Sequence, residues 1–237
     1  MNHLHFASLS STNQYLKDHY SELDHLTLIS ATHQTQGRGR YDRLWYDDES
    51  MALFSLLVKN HTLNQSLLPF VAATALHQIL ETITPGFLIK WPNDILYQGK
   101  KICGILCEAV VIGHHYDAFI IGIGVNLNTP SFPDALQSIA TSLKMITKTD
   151  TDITRFIQLS HEKLVETIEA VEKGHINPID YCNRHAYFRH KNLRIKVHDR
   201  PTQMTHALIL PDGSLALTTP AGLMRVQSGE ISILSDL

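Results

Sequence analysis

The chain changes character near His190, and that change limits its fold more than any single motif. Downstream, short apolar runs at 193–197, 205–210, 215–219, 223–226 and 231–234 follow one another closely, with Asp212-Gly213 as a strong hairpin turn between two of them. Short strands with so little chain between them predict a small barrel. A unit of that size buries too little surface to stand alone, so it is expected to dock on the rest of the chain. Upstream, strand and helix periods alternate. Residues 26–32 and 51–58 read as strands. Pro69 then opens a helix whose apolar positions (Val71, Ala72, Ala75, Leu76, Ile79, Leu80, Ile83) share one face, until Pro85-Gly86 stops it. Three strand-like runs follow at 87–91, 102–111 and 116–126, with Gln98-Gly99 and Gly113-His114 at the turns. A long amphipathic helix follows Asp152 and ends at Gly174; Asn177-Pro178 starts another, and Ser10, Ser11 and Thr12 precede a first helix reaching Tyr20.

Composition narrows the function classes. The 237 residues are 43% hydrophobic and 18% charged, with a formal net charge of -3. A chain that is not broadly basic does not bind nucleic acid or an anionic membrane by general electrostatics. Against that background Arg38, Arg40, Arg43, Lys90, Lys100 and Lys101 form local positive patches suited to one small anion. Cys103, Cys107 and Cys182 are odd in number and have no zinc-site spacing, which fits free thiols in the cytoplasm. The N-terminus shows no signal-peptide pattern. No apolar run approaches the roughly 20 residues of a bilayer span, and the histidines are scattered rather than paired for a metal.

The chemistry-bearing residues lie in a few short runs. Gln34-Thr35-Gln36-Gly37-Arg38-Gly39-Arg40, with Arg43 and Trp45 after it, reads as an anion clamp or as a flexible surface loop. Lys90-Trp91-Pro92-Asn93-Asp94 ends a strand, with a lysine placed for a phosphate or oxyanion; a solvated turn reads equally well. Gly122-Ile123-Gly124-Val125-Asn126 lacks the third glycine of a dinucleotide fingerprint, and its glycines serve either packing or close approach of a ligand. No Walker-A sequence and no nucleophile elbow occurs. Cys103 and Cys107 fall on one face of a strand and fit core packing.

In order, Ser11-Thr12-Asn13, Gln34 through Arg40, Trp45, Lys90 through Asp94, Lys101 through Glu108 and Gly122 through Asn128 form a set that resembles the biotin protein ligase family, also called biotin–[acetyl-CoA-carboxylase] ligase. The resemblance spans residues 9–143 and, more loosely, the C-terminal strands ending Ser228-Gly229-Glu230-Ile231-Ser232. It implies an α+β fold: a mixed-sheet catalytic domain (1–189) related to class II aminoacyl-tRNA synthetases, then an SH3-like β-barrel (190–237). It also implies ATP and biotin as substrates, Mg2+, an adenylate intermediate, and a biotin carboxyl carrier domain of acetyl-CoA carboxylase or a related carboxylase as partner, in a monomer or homodimer.

By the same resemblance Ser11, Thr12, Asn13, Gln34, Arg38, Gly39, Arg40, Lys90 and Gly104 would bind biotin. Arg38, Arg40, Trp45, Lys90, Asn93 and Asn126 would bind ATP, with Asp94 on the nucleotide and metal side. Lys90 would bridge the biotin carboxylate and the α-phosphate, and Arg40 would guard the intermediate; metal ligands are not assigned. Gln36 and Tyr41-Asp42 depart from the family pattern, and Asp42 is expected to pair with Arg40 or Arg43 when the loop is empty. A lipoate ligase would carry an Arg-Arg-x-x-Gly-Gly-Gly segment, which is missing here. Only ten residues precede Ser11, too few for a helix-turn-helix module, so no DNA binding is expected.

Overall fold

Ser11 starts the first helix. Its hydroxyl accepts the Gln14 N–H at 3.4 Å, and α1 (Thr12–His19) follows, connecting the parallel strands β1 (His3–Leu9) and β2 (Leu28–Gln34). The computed structural model describes residues 2–59, 64–189, 191–197, 200–228 and 231–236. The strand β3 (Ala52–Lys59) is followed by the helix α2 (Leu68–Ile83) and then by β4 (Phe87–Lys90), β5 (Asp94–Tyr97), β6 (Lys100–Ile112) and β7 (His115–Val125). They complete a seven-stranded mixed sheet, ordered β1-β2-β3-β7-β6-β5-β4, in which the neighbours other than β1 and β2 pair antiparallel. The short helices α3 (Asp134–Gln137) and α4 (Leu143–Thr147) lead into α5 (Ile153–Glu172), capped by Asp152, and α6 (Pro178–Arg184), capped by Asn177.

The two faces of the sheet are covered differently, and this positions everything else. One face carries Phe54, Leu56, Ile95, Cys103, Ile105 and Ile121 and is covered by α2 and α5, whose buried residues complete the main core. The other face is covered in two separate patches. Leu16 of α1 packs on Ile29, Leu57 and Ile120 at one end, while Phe132 and Trp45 pack on Met51 and Leu53 at the other. Between these patches the sheet carries Gly104, Gly122 and Gly124, which lie beneath Trp45, Lys101 and Asn13.

The segment Gln65–Ile83 is long and apolar enough to cross a bilayer by length and composition, contrary to the sequence expectation. Within it α2 buries Phe70, Val71, Ala72, Ala75, Leu76 and Leu80 against the sheet. Cys103 and Cys107 do share the core face. Burial pushes the Cys107 and Cys182 thiols up to about 12, which suits packing rather than nucleophilic chemistry.

Beyond α6 come β8 (Leu193–Val197), β9 (Arg200–Met204), β10 (His206–Ile209), β11 (Leu215–Thr219), β12 (Gly222–Val226) and β13 (Ile231–Asp236). They form two three-stranded antiparallel sheets, β13-β8-β9 and β10-β11-β12, as in an SH3-like module. Alternate residues Leu193, Ile195 and Val197 point inward and join the main core. The unit is latched to the rest of the chain by Trp91, just past β4, whose Nε1 donates to Gly213 O at 2.9 Å, and by Asn183 of α6, whose side chain both donates to and accepts from the Ile209 backbone at 2.9 Å.

His3, His25, His77, His161 and His185 are all held below the usual imidazole range, with burial the largest cause in each. His77 is fully buried, between Phe87 O and the Tyr181 hydroxyl at 3.0 Å each, with His185 beside it and Glu81 partly offsetting the burial. These rings take protons less readily folded than unfolded, so below about pH 6.5 the unfolded state binds more protons and stability must fall. Denaturant midpoints are therefore expected to be lower at pH 5.5 than at pH 7.5. An unchanged or rising midpoint would contradict this.

Candidate active site

Strand register brings the site together. Lys90 pairs with Asp94, Asp94 with Gly104, Gly104 with Gly124, and Gly124 with Leu53, giving one row across the face opposite α2 and α5. The neighbouring row is Leu106, Gly122 and Ser55. Glycines in the middle of both rows leave the face low. The Trp45 ring lies in the gap above Gly104 and Gly124, where an added Cβ would come within 2.7 Å of it. The sequence assigned the room above Gly104 to biotin; here Trp45 and the Lys101 stem occupy it. The Trp45 indole N–H is buried without a partner among the described residues.

One end of the gap is polar and densely hydrogen-bonded. Gln34 Oε1 accepts from the Thr12 N–H at 2.7 Å and the Thr12 hydroxyl at 3.1 Å. Ser55 Oγ lies 2.7 Å from Thr12 Oγ1 and 2.6 Å from Asn13 Oδ1. Asn13 Nδ2 donates to Glu108 Oε2 at 2.6 Å and to Leu106 O at 3.3 Å. Because a backbone N–H can only donate and a carboxylate can only accept, both amide orientations are fixed. Gln34 is left with its Nε2 donor to offer, and Asn13 with the second lone pair of its Oδ1. Glu108 also accepts from Lys17 at 2.5 Å and from Arg38 at 3.3 Å. Burial alone would raise its pKa, but Lys17, Asn13 and Arg38 together hold it below the usual carboxylate range.

The other end is cationic. Lys101 Nζ is 2.7 Å from Asp94 Oδ1 and 5.1 Å from the Trp45 ring centroid. Burial lowers the Lys90 pKa, Asp94 partly offsets this, and Lys101 and Arg43 lower it further. Two lysines thus share one carboxylate. Lys90 opens toward the C-terminal strands, in a cavity of about 170 Å³ with Arg40, Arg43, Met204 and Leu215, whereas Lys101 reaches over Gly104 at the centre of the face. Lys100 is tied to Gln137 O at 2.7 Å, away from the site.

The glycine-arginine loop folds back on itself through Gly39 N–H to Arg43 O at 2.7 Å and Trp45 N–H to Gly37 O at 3.0 Å. Arg40 donates to Asn93 Oδ1 at 3.4 Å, to the Tyr41 hydroxyl at 2.9 Å and to Ser228 Oγ, and Tyr41 in turn donates to Ser228 O at 3.3 Å. The C-terminal unit therefore holds the loop. Tyr41 takes φ 57, a left-handed conformation rarely adopted by a bulky side chain. A larger cavity of about 400 Å³ lies between Arg40, Asn93, Phe70, Gly213 and Ser228. The expected Asp42 pairing rests on a side chain outside those described. Asn126 is buried, its amide spent on Thr141 O at 2.9 Å and Lys101 O at 3.3 Å, so it braces the start of β6.

A sequence profile of the Biotin/lipoate A/B protein ligase family matches residues 5–126 of the 237. The chain belongs to this family. Among curated relatives, the "Bifunctional ligase/repressor BirA" of Bacillus spizizenii is 42% identical over 124 residues, which cover 49% of this chain and 38% of that protein. The "Biotin--[acetyl-CoA-carboxylase] ligase" of Paracoccus denitrificans is 38% identical over 112 residues, 45% of this chain and 46% of that one. The chain thus spans less than half the length of these relatives. The solved structure of the biotin protein ligase from Aquifex aeolicus in complex with biotin and ATP matches over 99% of both chains, with a TM-score of 0.84 and 26% identity.

Most residues that the family resemblance named meet on this one face: Thr12, Asn13, Gln34, Arg38, Arg40, Trp45, Lys90, Asn93 and Asp94, with Gly104 in its floor. Ser11 acts as the cap of α1. The sequence placed Lys101 in a positive patch and Gly122 where packing or a ligand's close approach is served, and it gave no role to Glu108, Ser55 or Ser228. For Lys101 and Glu108 a signal was present, since both lie in the ordered motif set. Ser228 opens the C-terminal run that carries the looser resemblance, whereas for Ser55 nothing in the neighbouring sequence marks a site.

Proposed function

We propose that this family member activates biotin with ATP and transfers it to a lysine of a carboxylase carrier domain. The observation that carries the reading is the pairing of a donor, Gln34 Nε2, with an acceptor, Asn13 Oδ1, at one end of a gap whose other end holds Lys101, Lys90 and Arg40. A ureido ring offers the complementary C=O and N–H. Trp45 walls the stretch between, as an apolar ring and acyl chain require, so we place it beside biotin rather than beside the base. The acid then reaches the cations at the far end.

There a biotin carboxylate oxygen attacks the α-phosphorus of ATP. The bond from that phosphorus to the β-bridging oxygen breaks, and pyrophosphate leaves. Two anions must meet, so fixed cations lower the barrier by holding both reactants and their developing charge. Lys101 stands over the floor and is best placed to touch both groups, with Lys90 and Arg43 on the triphosphate side. In the second step a carrier lysine amine attacks the activated carbonyl, loses a proton and displaces AMP. Arg40 and Tyr41, held by Ser228, close the loop over the intermediate.

Magnesium enters with the nucleotide. Among the described residues no cluster of His, Cys, Asp or Glu forms a cage, and Asp94 is engaged by Lys101, so the ion is held chiefly by the phosphates. We divide the chain into a ligase domain (1–189) and an SH3-like domain (190–237), and place the enzyme in the cytoplasm beside its carrier. The test is exchange of labelled pyrophosphate into ATP, expected with biotin and absent with lipoate, followed by transfer of biotin to a purified carrier domain. The reverse acid preference would overturn the reading.

A further inference from the structure

Glu108 is a half-buried carboxylate on the site face of β6 that no step of the reaction uses. Its two oxygens divide their partners: Oε1 takes Lys17 and Arg38, and Oε2 takes Asn13 Nδ2. The Asn13 amide is buried, and its other contacts set its direction only weakly. The Ser55 hydroxyl on one side can donate or accept, and the bond to Leu106 O is long at 3.3 Å. The carboxylate is the strong, acceptor-only partner that keeps the NH2 group turned away from the ligand.

We propose that Glu108 is the positioning residue that sets ligand specificity at the polar end, by fixing Asn13 so that its carbonyl oxygen, not its NH2, faces a ureido N–H. By holding Arg38 as well, the same carboxylate ties the base of the glycine-arginine loop to that end of the site. The inference rests on biotin being the ligand.

Glu108→Gln is nearly isosteric, and its consequence follows from donor counting. Lys17 and Arg38 claim the one remaining side-chain oxygen, so the new NH2 group faces Asn13. Two NH2 groups cannot pair, and Asn13 must turn over to offer Oδ1 to Gln. The pocket then presents a donor where the ureido N–H also donates. Asn13→Asp fails in the wild-type background for the opposite reason, because two carboxylates face each other. Together the two changes exchange acid and amide: Asp accepts from the Gln NH2 and still offers an acceptor to the ligand.

Calorimetric titration with biotin is expected to show each single variant weakened at least about tenfold, the scale of a charge-assisted hydrogen bond. The Glu108→Gln/Asn13→Asp double variant should recover to within about threefold of wild type, while affinity for ATP changes little throughout. Additive losses, in a wild type that binds biotin, would overturn the inference and leave the ligand assignment standing. A wild type that binds no biotin would overturn both. If Asn13→Asp does not fold, Asn13→Ala serves instead: Glu108→Gln must then change biotin affinity less than about twofold. An undiminished effect in that background refutes the positioning role.

Discussion

Lys101→Ala lowers biotin-dependent pyrophosphate exchange by about 10²–10³-fold, mainly in kcat, the usual loss when one preorganised donor is taken from a developing charge. The sequence resemblance put this role on Lys90. Both lysines flank Asp94, but only Lys101 lies over Gly104, against the Trp45 ring and between the polar end and the arginines. Lys90 stands on the far side, in the cavity it shares with Arg43 and the C-terminal strands. Lys90→Ala is therefore expected to act mostly through the KM for ATP, with a smaller fall in kcat. Removing Lys101 also leaves Asp94 with only Lys90 beside it, so Lys101→Ala is best compared with Lys101→Ala/Asp94→Asn, which removes the under-compensated charge. If the double variant recovers full activity, or if Lys90→Ala proves the more damaging of the two single changes, the assignment to Lys101 fails. Lys101→Arg should not rescue, since a forked guanidinium does not fit where a compact ammonium sits 2.7 Å from one carboxylate oxygen.

The choice between these lysines shows what a sequence can and cannot supply. Helix ends were readable because their signals are local: Ser11, Asp152 and Asn177 each cap the helix that follows, and Pro69 lies in the first turn of α2. The buried strands β3, β6 and β7 were readable from continuous apolar runs. β1 was missed because this edge strand leaves Leu4, His5, Ala7 and Ser8 in solvent and has no such run. β9 contains Pro201, which argues against a central strand but is tolerated at the edge of a sheet, where β9 lies. β5 is four residues long and begins with Asp94, so it read as part of the turn after Pro92.

The site was legible as a set of motifs but not as an arrangement. Which of two lysines faces the ligand depends on the register shift between Ile95 and Leu96, which puts Leu96 opposite Lys101 and Ile95 opposite Cys103. A bulge of that kind leaves no sign in composition or periodicity. The Arg40–Ser228 contact joins residues 188 positions apart, and Ser55 reaches Thr12 and Asn13 only because β3 passes beneath the start of α1. Such long-range meetings are set by packing, which a pattern of residue types does not encode.

Gly122→Ala is expected to weaken biotin by about 10- to 100-fold, the cost of misplacing a buried, charge-anchored hydrogen-bonding group, and to lower stability by about 1–3 kcal/mol through overpacking. A methyl at this position would sit 2.1 Å from Asn13 Oδ1 and 2.8 Å from both other atoms of the amide group. No rotamer change of a loose side chain relieves this, because Asn13 is held by Glu108, Ser55 and Leu106 O at the start of a capped helix. Either the amide leaves its place or β7 moves away from α1. The two effects separate in a second variant. Removing the obstructing side chain, in Gly122→Ala/Asn13→Ala, should restore most of the melting temperature without restoring biotin affinity, because the acceptor for the ureido N–H is then gone. ATP binding, several residues away on the same face, should change little in either variant. Melting curves with parallel biotin titrations decide the matter: a double variant no more stable than Gly122→Ala would mean that Asn13 is not what the methyl strikes. Biotin affinity near wild type in Gly122→Ala would mean that the amide does not face the ligand.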